Sequence, residues 1–435
     1  MNQEPETRNQ EPYVLRSAER ANVVVCTGAH VGFGYSVGVV DMLTVLPLLL
    51  SRLGAGSVVL GVAWSVASAG WFLTQAPGIF LLGHRPRKKR FLTLWSFVTV
   101  VPPFLAVGLV VFLLGATRPA LCMALVLVLI AARVLGEGTS YPFWDDWLAS
   151  LFSKRLRGRA FGLIAAAVAV GAALAALTAG QVCRRLPFPA NYALLYCASA
   201  GFFAVSLAAI YRAREPGPAP ERDAFTVQGL MQRFGQSLRE ANFRNYLVGR
   251  ILLSFGGGVV GFYAVHFSSP EGGGLAASTV ITVGMCMTIP QAVASYVLGH
   301  LGDRAGHKTS IVIGAGAQVL SVLVAYLGRG LGPCILAFVL LGIVSSAGWV
   351  SHLNMLFETC PHESRVAHLA LSNSVLSPFL VLVPAGTGWL MASVGMRAGM
   401  GLALIPAVLG TAWMLLVVRE PRTLDLAGRP DDASQ

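Results

Sequence analysis

The sequence predicts an all-α polytopic membrane protein, with twelve transmembrane helices in two six-helix bundles. Three observations predict it. First, 55% of the 435 residues are hydrophobic and only 12% are charged, with a mean hydropathy of +0.67. A water-soluble domain carries about 25% charge, so this chain lacks the charge to cover a water-facing surface. Second, apolar runs recur at the length of about 20 residues that spans a hydrocarbon core of roughly 30 Å. Third, Lys and Arg gather in the short breaks between runs, with a strong bias to one side. The 48 glycines fit this class, because small residues let helices approach closely in lipid.

The elements follow in order. Residues 1–20 are polar and carry the tandem repeat Asn2-Gln3-Glu4-Pro5 and Asn9-Gln10-Glu11-Pro12, which predicts a disordered cytoplasmic tail. The run Asn22 to Leu50 is too long for a signal-peptide core and reads as an uncleaved helix 1, about 22–51. Helices 2 to 6 are predicted at about 57–82, 91–114, 119–139, 160–182 and 192–211, completing a first bundle over 21–211. The connector, 212–245, contains Glu215-Pro216-Gly217-Pro218-Ala219-Pro220, a stiff linker. Val227, Leu230, Met231, Phe234 and Leu238 then recur at helical spacing, which predicts an amphipathic helix on the membrane surface or against the domain ends. Helices 7 to 12 are predicted at about 246–267, 275–299, 309–328, 333–352, 369–393 and 399–418. They form a second bundle over 246–418, before a C-terminal tail over 419–435.

Twelve spans put both termini on one side. That side holds 25 of the 32 Lys and Arg, counting Arg250 with the connector. The other side holds six (Arg52, Arg118, Arg184, Arg185, Arg329 and Arg397), and Arg133 lies inside helix 4. The positive-inside rule then places both termini in the cytoplasm, in the plasma (cytoplasmic) membrane. The net charge of +12 faces anionic lipid headgroups, so nucleic acid is not an expected partner. None of the seven cysteines forms a CxxC, which predicts free thiols and no metal site. No Walker A pattern, His-Glu-x-x-His or nucleophile–base pair is found, so neither an enzyme nor a cofactor is expected.

The halves echo each other. Glu19-Arg20-Ala21-Asn22 matches Arg239-Glu240-Ala241-Asn242, and Gly83-His84 matches Gly299-His300. Leu151-Phe152 with Arg159 matches Leu356-Phe357 with Arg365. Echoes in chain order point to one ancestral half used twice.

Between helices 8 and 9 lies Gly299-His300-Leu301-Gly302-Asp303-Arg304-Ala305-Gly306-His307-Lys308. Its pattern, Gly-x-Leu-x-Asp-Arg-x-Gly-x-Lys, resembles the signature loop of the major facilitator superfamily of transporters. Asn242-Phe243-Arg244-Asn245-Tyr246-Leu247, Arg157-Gly158-Arg159-Ala160-Phe161-Gly162 and Asp41-Met42-Leu43-Thr44-Val45-Leu46-Pro47 are similar to phrases found in many members. There are departures. The first-half loop, Gly83-His84-Arg85-Pro86-Arg87-Lys88-Lys89-Arg90, lacks the aspartate, and Glu137 stands where the family's helix-4 motif places glycine.

The resemblance implies helices 1, 4, 7 and 10 around a central cavity. Charges inside spans are costly and normally face a cavity or a partner. Asp41 and Arg133, about 15 and 21 Å deep at 1.5 Å per residue, are expected to pair there, with Glu137 as a competing partner. Such a pair serves either proton coupling and substrate contact, or only helix packing. Tyr35, Trp64, Trp71, Gln75, Tyr263, His266, Gln291, Trp349 and Asn373 are candidate cavity residues, His266 being closer to an interfacial position. Gly299, Asp303, Arg304, Gly306 and Lys308 are expected to form a gate, with Asp145, Asp146, Arg159, Glu358, Glu363 and Arg365 as loop charges across it. The expected function is proton-coupled secondary transport of a small organic solute by a monomer in the lipid bilayer. The alternatives are an exporter or uncoupled facilitator of the same fold, and a transport-dead sensor or scaffold.

Overall fold

The computed structural model describes residues 17–75, 78, 89–215, 235, 238–358 and 365–422. The tail repeat, the loop over 83–88 and the predicted amphipathic segment, apart from Leu238, lie outside the described residues. The first half comprises α1 (Ser17–Val39), α2 (Val45–Arg52), α3 (Ser57–Leu73), α4 (Lys89–Leu114), α5 (Pro119–Ser150), α6 (Lys154–Arg185) and α7 (Ala190–Ile210). The second comprises α8 (Ala241–Gly257), α9 (Tyr263–Ser268), α10 (Ala277–Val283), α11 (Thr288–Ala305), α12 (His307–Leu327), α13 (Leu331–Ser346), α14 (His352–Glu358), α15 (Arg365–Val394) and α16 (Met396–Leu416). Among the described residues ten helical stretches are long and apolar enough to cross a membrane. The protein is an integral membrane protein.

The second expected helix leaves the α-helix after Leu73, and four others are interrupted within the described residues. The first pass breaks between α1 and α2, and the seventh loosens after Gly257 into a short 3-10 turn, Val260–Phe262. The eighth passes through a 3-10 turn at Gly284–Met287, and the tenth through a π-turn at Ala347–Ser351. Several boundaries also move, the fifth pass starting at Lys154 and the eleventh at Arg365, and two shifts bear on the candidate residues. The fourth pass runs on to Ser150, so Asp145 and Asp146 lie on α5 rather than in a loop. The seventh begins at Ala241, which puts Arg250 nine residues inside a helix and not in the connector.

Small residues join the two halves. Gly61 of α3 packs on the backbone of Pro384 in α15, and Gly388 packs on the backbone of Ser57. A Cβ at either position would collide with main chain, so glycine sets how closely these helices approach. Ser65 Oγ donates to the Val381 carbonyl at 2.5 Å, and Ser68 Oγ to the Leu380 carbonyl at 3.3 Å. Gly180 of α6 meets Ser278 and Thr282 of α10 at a second seam.

At the end of the molecule where α1 begins and α16 ends, the same clasp occurs twice. Asn22 Nδ2 donates to the Arg214 carbonyl at 3.0 Å, and its Oδ1 accepts from the Arg214 amide at 2.7 Å. Asn242 does the same with Arg419, at 3.0 and 2.8 Å. The next residue, Glu215 or Glu420, reaches the start of the third helix of its half. Glu215 accepts from the Lys89 amide at 3.3 Å, and Glu420 from the Lys308 amide at 2.9 Å. A carboxylate on the free N–H groups of a helix start also complements the helix dipole. Each clasp therefore ties the first, third and sixth passes of a bundle. Its spelling, Arg214-Glu215-Pro216 and Arg419-Glu420-Pro421, is a further internal echo. Gly306 has φ +90° and lies directly against the Glu420 carboxylate, so the signature loop needs glycine there for two reasons.

Burial separates the two clasps. Asn22 is 2% exposed, whereas Asn242 is half-buried and water can replace its bonds. Asn22→Ala should cost about 2 kcal/mol and Asn242→Ala about 1 kcal/mol or less. Thermal unfolding of the purified protein in detergent checks this ordering; an equal or reversed loss would refute it.

Candidate functional site

The four breaks in the helices border one cavity of roughly 430 Å³. Leu43 comes from the break in the first pass, and Gly257, Gly258 and Val260 from the seventh. Met287 comes from the eighth, and Ala347 and Gly348 from the π-turn of the tenth. Irregular backbone leaves polar groups without helical partners, and within a bilayer it is tolerated only inside protein or beside a cavity. The volume suits a small organic molecule, since ligand pockets span about 300–1,000 Å³. The second half supplies most of the wall, while the first contributes Leu43, Trp64 and Ser68.

Asp41 is the cause of the first break. Its Oδ1 accepts from the Leu43 amide at 3.0 Å, from the Thr44 amide at 2.8 Å and from Thr44 Oγ1 at 2.8 Å. Its carbonyl accepts from the amides of Val45 and Leu46. The side chain thus offers the backbone an alternative to continuing α1, and it holds the turn that leads into α2. The expected Asp41–Arg133 pair is not formed in this arrangement. Arg133 Nη2 lies instead 2.6 Å from Glu137 Oε2, one turn along α5. The Arg133 guanidinium also stands over the Phe104 ring at 4.9 Å. Both residues are buried, and a partner one turn away on the same helix needs no alignment between helices. Tyr196, fully buried, is within electrostatic reach of both Arg133 and Asp41. This polar group belongs to the interior of the first half and does not line the cavity.

The remaining candidates divide. Trp64 lines the cavity. Gln75 and Asn373 bridge the two halves, with Asn373 Nδ2 donating to Gln75 Oε1 at 3.3 Å. Tyr35 packs within the first half, its hydroxyl 2.7 Å from Thr178 Oγ1 and its ring 4.1 Å from Phe202. Trp71 packs on Tyr141 at 4.8 Å. Tyr263 is buried behind the cavity and accepts from Ser321 Oγ at 3.2 Å. Gln291 is half-buried outside the lining, and Trp349 points outward with 57% of its surface exposed. His266 is fully buried, near the end of α9.

Of the residues expected to form a gate, Asp303 and Arg304 are exposed at the end of α11, with Asp303 Oδ1 4.0 Å from His307 Nε2. The Asp303 carbonyl accepts from Arg422 Nη1 at 2.7 Å, and Lys308 Nζ donates to the Leu415 carbonyl at 2.8 Å. Gly299 approaches Val350. The loop is therefore bound to the end of its own half. Asp145 accepts from the Tyr141 hydroxyl, Asp146 is partly buried, and Arg159 is exposed. The side chains of Glu358 and Arg365, and all of Glu363, lie outside the described residues.

Sequence reasoning missed Arg250, which lines the cavity about 14 Å along α8 at 1.5 Å per residue. His352 joins it, its Nδ1 3.0 Å from the Tyr246 hydroxyl. The signal was present: Leu247 to Phe255 is apolar but for Arg250 and Ser254, so an earlier helix start would have exposed the intramembrane arginine.

Comparison with known proteins agrees with this architecture. The sequence pattern of the Major Facilitator Superfamily matches residues 270–433. No curated protein matches the sequence. A bacterial homologue of the human lysosomal transporter Spinster, solved inward-facing and unoccupied, superimposes with a TM-score of 0.70 at 14% identity, covering 96% of this chain and 100% of that one. A variant of the nucleoside transporter NupG gives 0.73 at 9% identity, covering 92% and 100%. An auto-inhibited peptide transporter of the POT family gives 0.64 at 12% identity, covering 95% and 98%. At these identities the likeness concerns the fold.

The buried ion pair makes a specific stability prediction. Removing one member leaves an uncompensated charge in a low-dielectric interior, at a cost of about 3–5 kcal/mol. Arg133→Leu alone should therefore lower the melting temperature more than Arg133→Leu combined with Glu137→Leu. Thermal melts of the three proteins in one detergent decide it, and an additive loss in the double variant would contradict the pairing.

Proposed function

From a chain with the Major Facilitator Superfamily fold throughout and that family's sequence pattern over residues 270–433, we propose secondary transport of a small organic solute by alternating access, coupled to protons. The observation that carries this reading is the cavity bordered by backbone breaks in four different passes. Broken helices at a cavity between repeated halves are where transporter folds hold their substrates. In this reading the end holding both termini is cytoplasmic, in the plasma membrane, and the monomer is the working unit.

Asp41 and Glu137 are the proposed coupling carboxylates. Each is held by partners that protonation would weaken: the Leu43 and Thr44 donors on one side, the Arg133 guanidinium on the other. Losing the Asp41 bonds would loosen the junction of α1 and α2, whose neighbour Leu43 forms part of the cavity wall. The signature loop is proposed as a gate element, because Asp303, Gly306 and Lys308 are all held by the segment after α16.

A thermal-shift screen against sugars, organic acids, amino acids and nucleosides supplies the substrate for flux assays in proteoliposomes. Uptake should respond to an imposed pH gradient, and Asp41→Asn with Glu137→Gln should flatten that response. Full proton-dependent uptake in both variants would sink the coupling role, and binding without flux would make the protein a sensor. Asp303→Ala should slow turnover about 3- to 10-fold at unchanged substrate affinity, a change of about 1 kcal/mol in barrier. Wild-type turnover in this variant would remove Asp303 from the gate.

A further inference from the structure

Resting on the transport reading of this cavity, we infer that the ligand it takes is a small organic anion with an apolar body, held through its charge by Arg250. The cavity wall is largely hydrocarbon, with Leu43, Trp64, Leu253, Leu341, Leu376 and Leu380 among the liners. Arg250 is the one permanently charged side chain among the described residues of that wall, and no carboxylate lines it. An arginine in such a place normally has an acidic partner, because an isolated charge away from water is expensive. Arg133 in the first half obeys this rule through Glu137. Arg250 has no carboxylate partner among the described residues.

What Arg250 does touch leaves most of its bonding capacity unused. Nη1 donates to Ser372 Oγ at 3.1 Å, and the guanidinium stands 6.0 Å from the Tyr246 ring centre. A guanidinium carries five N–H donors in a planar fork, suited to two oxygens of one carboxylate or phosphate. Four other polar groups of the wall already have protein partners. Ser68 Oγ donates to the Trp64 carbonyl at 2.7 Å, Ser254 Oγ to Ile251 at 2.7 Å, and Gln318 Nε2 to Leu253 at 2.9 Å. His352 Nδ1 is occupied by the Tyr246 hydroxyl. The arrangement thus offers a ligand one strong, directional anchor and an apolar enclosure. Ser372, fully buried, steadies the fork from behind. A neutral solute leaves the Arg250 charge unanswered, whereas an anion supplies the missing counter-charge.

Equilibrium binding to the purified full-length protein in detergent tests this, with radiolabelled benzoate as probe and benzamide and phenyl phosphate as competitors. Benzoate should bind saturably, and the neutral isostere benzamide should compete at least about tenfold less well, the factor that one charge-assisted contact supplies. Phenyl phosphate distinguishes the anion class: stronger competition than unlabelled benzoate assigns the fork to phosphate, and weaker competition assigns it to carboxylate. Arg250→Gln should weaken benzoate about tenfold or more while keeping the wild-type melting temperature, and Arg250→Lys should restore part of the affinity. Equal competition by benzamide, wild-type benzoate affinity in Arg250→Gln, or no saturable binding of either anion overturns the inference. If Arg250→Gln does not fold, the three ligands on the wild-type protein still decide it. The measurement needs no gradient, so a failure here is distinct from an absence of flux in proteoliposomes, which would count against transport itself.

Discussion

Inside a bilayer every backbone N–H and C=O must find a partner within the protein, and the whole molecule is arranged around that constraint. Most passes meet it as continuous helices. Where four of them do not, the loose backbone is brought to one place, and that place is the cavity. The breaks are built differently. Asp41 lends its side chain to the next turn, Gly257 and Gly258 loosen the seventh pass, and a 3-10 turn and a π-turn adjust the eighth and tenth. Thr44, at the first break, packs on Gly284, at the third, so the irregular segments support one another across the two halves.

Charge in the interior is handled in three ways. Arg133 is neutralised by Glu137 on its own helix, Asp41 by amides of its own turn, and Arg250 by nothing acidic among the described residues. The first two arrangements are self-contained and sit in the first half. The third faces the cavity from the second half. The two halves therefore share a fold while dividing the chemistry unequally.

The repeat is clearest where it is structural. Asn22 with Arg214-Glu215, and Asn242 with Arg419-Glu420, close each bundle at the end where α1 begins and α16 ends. The signature loop of the second half is part of this closure, through Gly306 and Lys308 against Glu420. A conformational change that moved the loop would have to move the end of α16 with it. The position of the loop is thereby tied to the packing of the last helix.

Composition and run length alone determined that the chain crosses a membrane many times, because hydrocarbon demands apolar residues wherever a helix passes. The signature loop and the paired echoes carried the family likeness, since glycine and charge in a tight turn are local requirements. The intramembrane charges Asp41, Arg133 and Glu137 were also legible, as polar letters in apolar runs. Their partners were not. Matching depth and the resemblance that puts helices 1 and 4 at one cavity led to the expectation of an Arg133–Asp41 pair, but neither fixes azimuth around a helix, and each found a partner nearer in sequence. Arg250 was hidden because it stands four residues after the expected helix start at about 246 and reads with the connector's charges; the pass starts at Ala241, where tertiary packing buries Phe243 and Tyr246. Only the three-dimensional structure decided which face of each helix meets the cavity, and with it which of the scattered polar residues a ligand can reach.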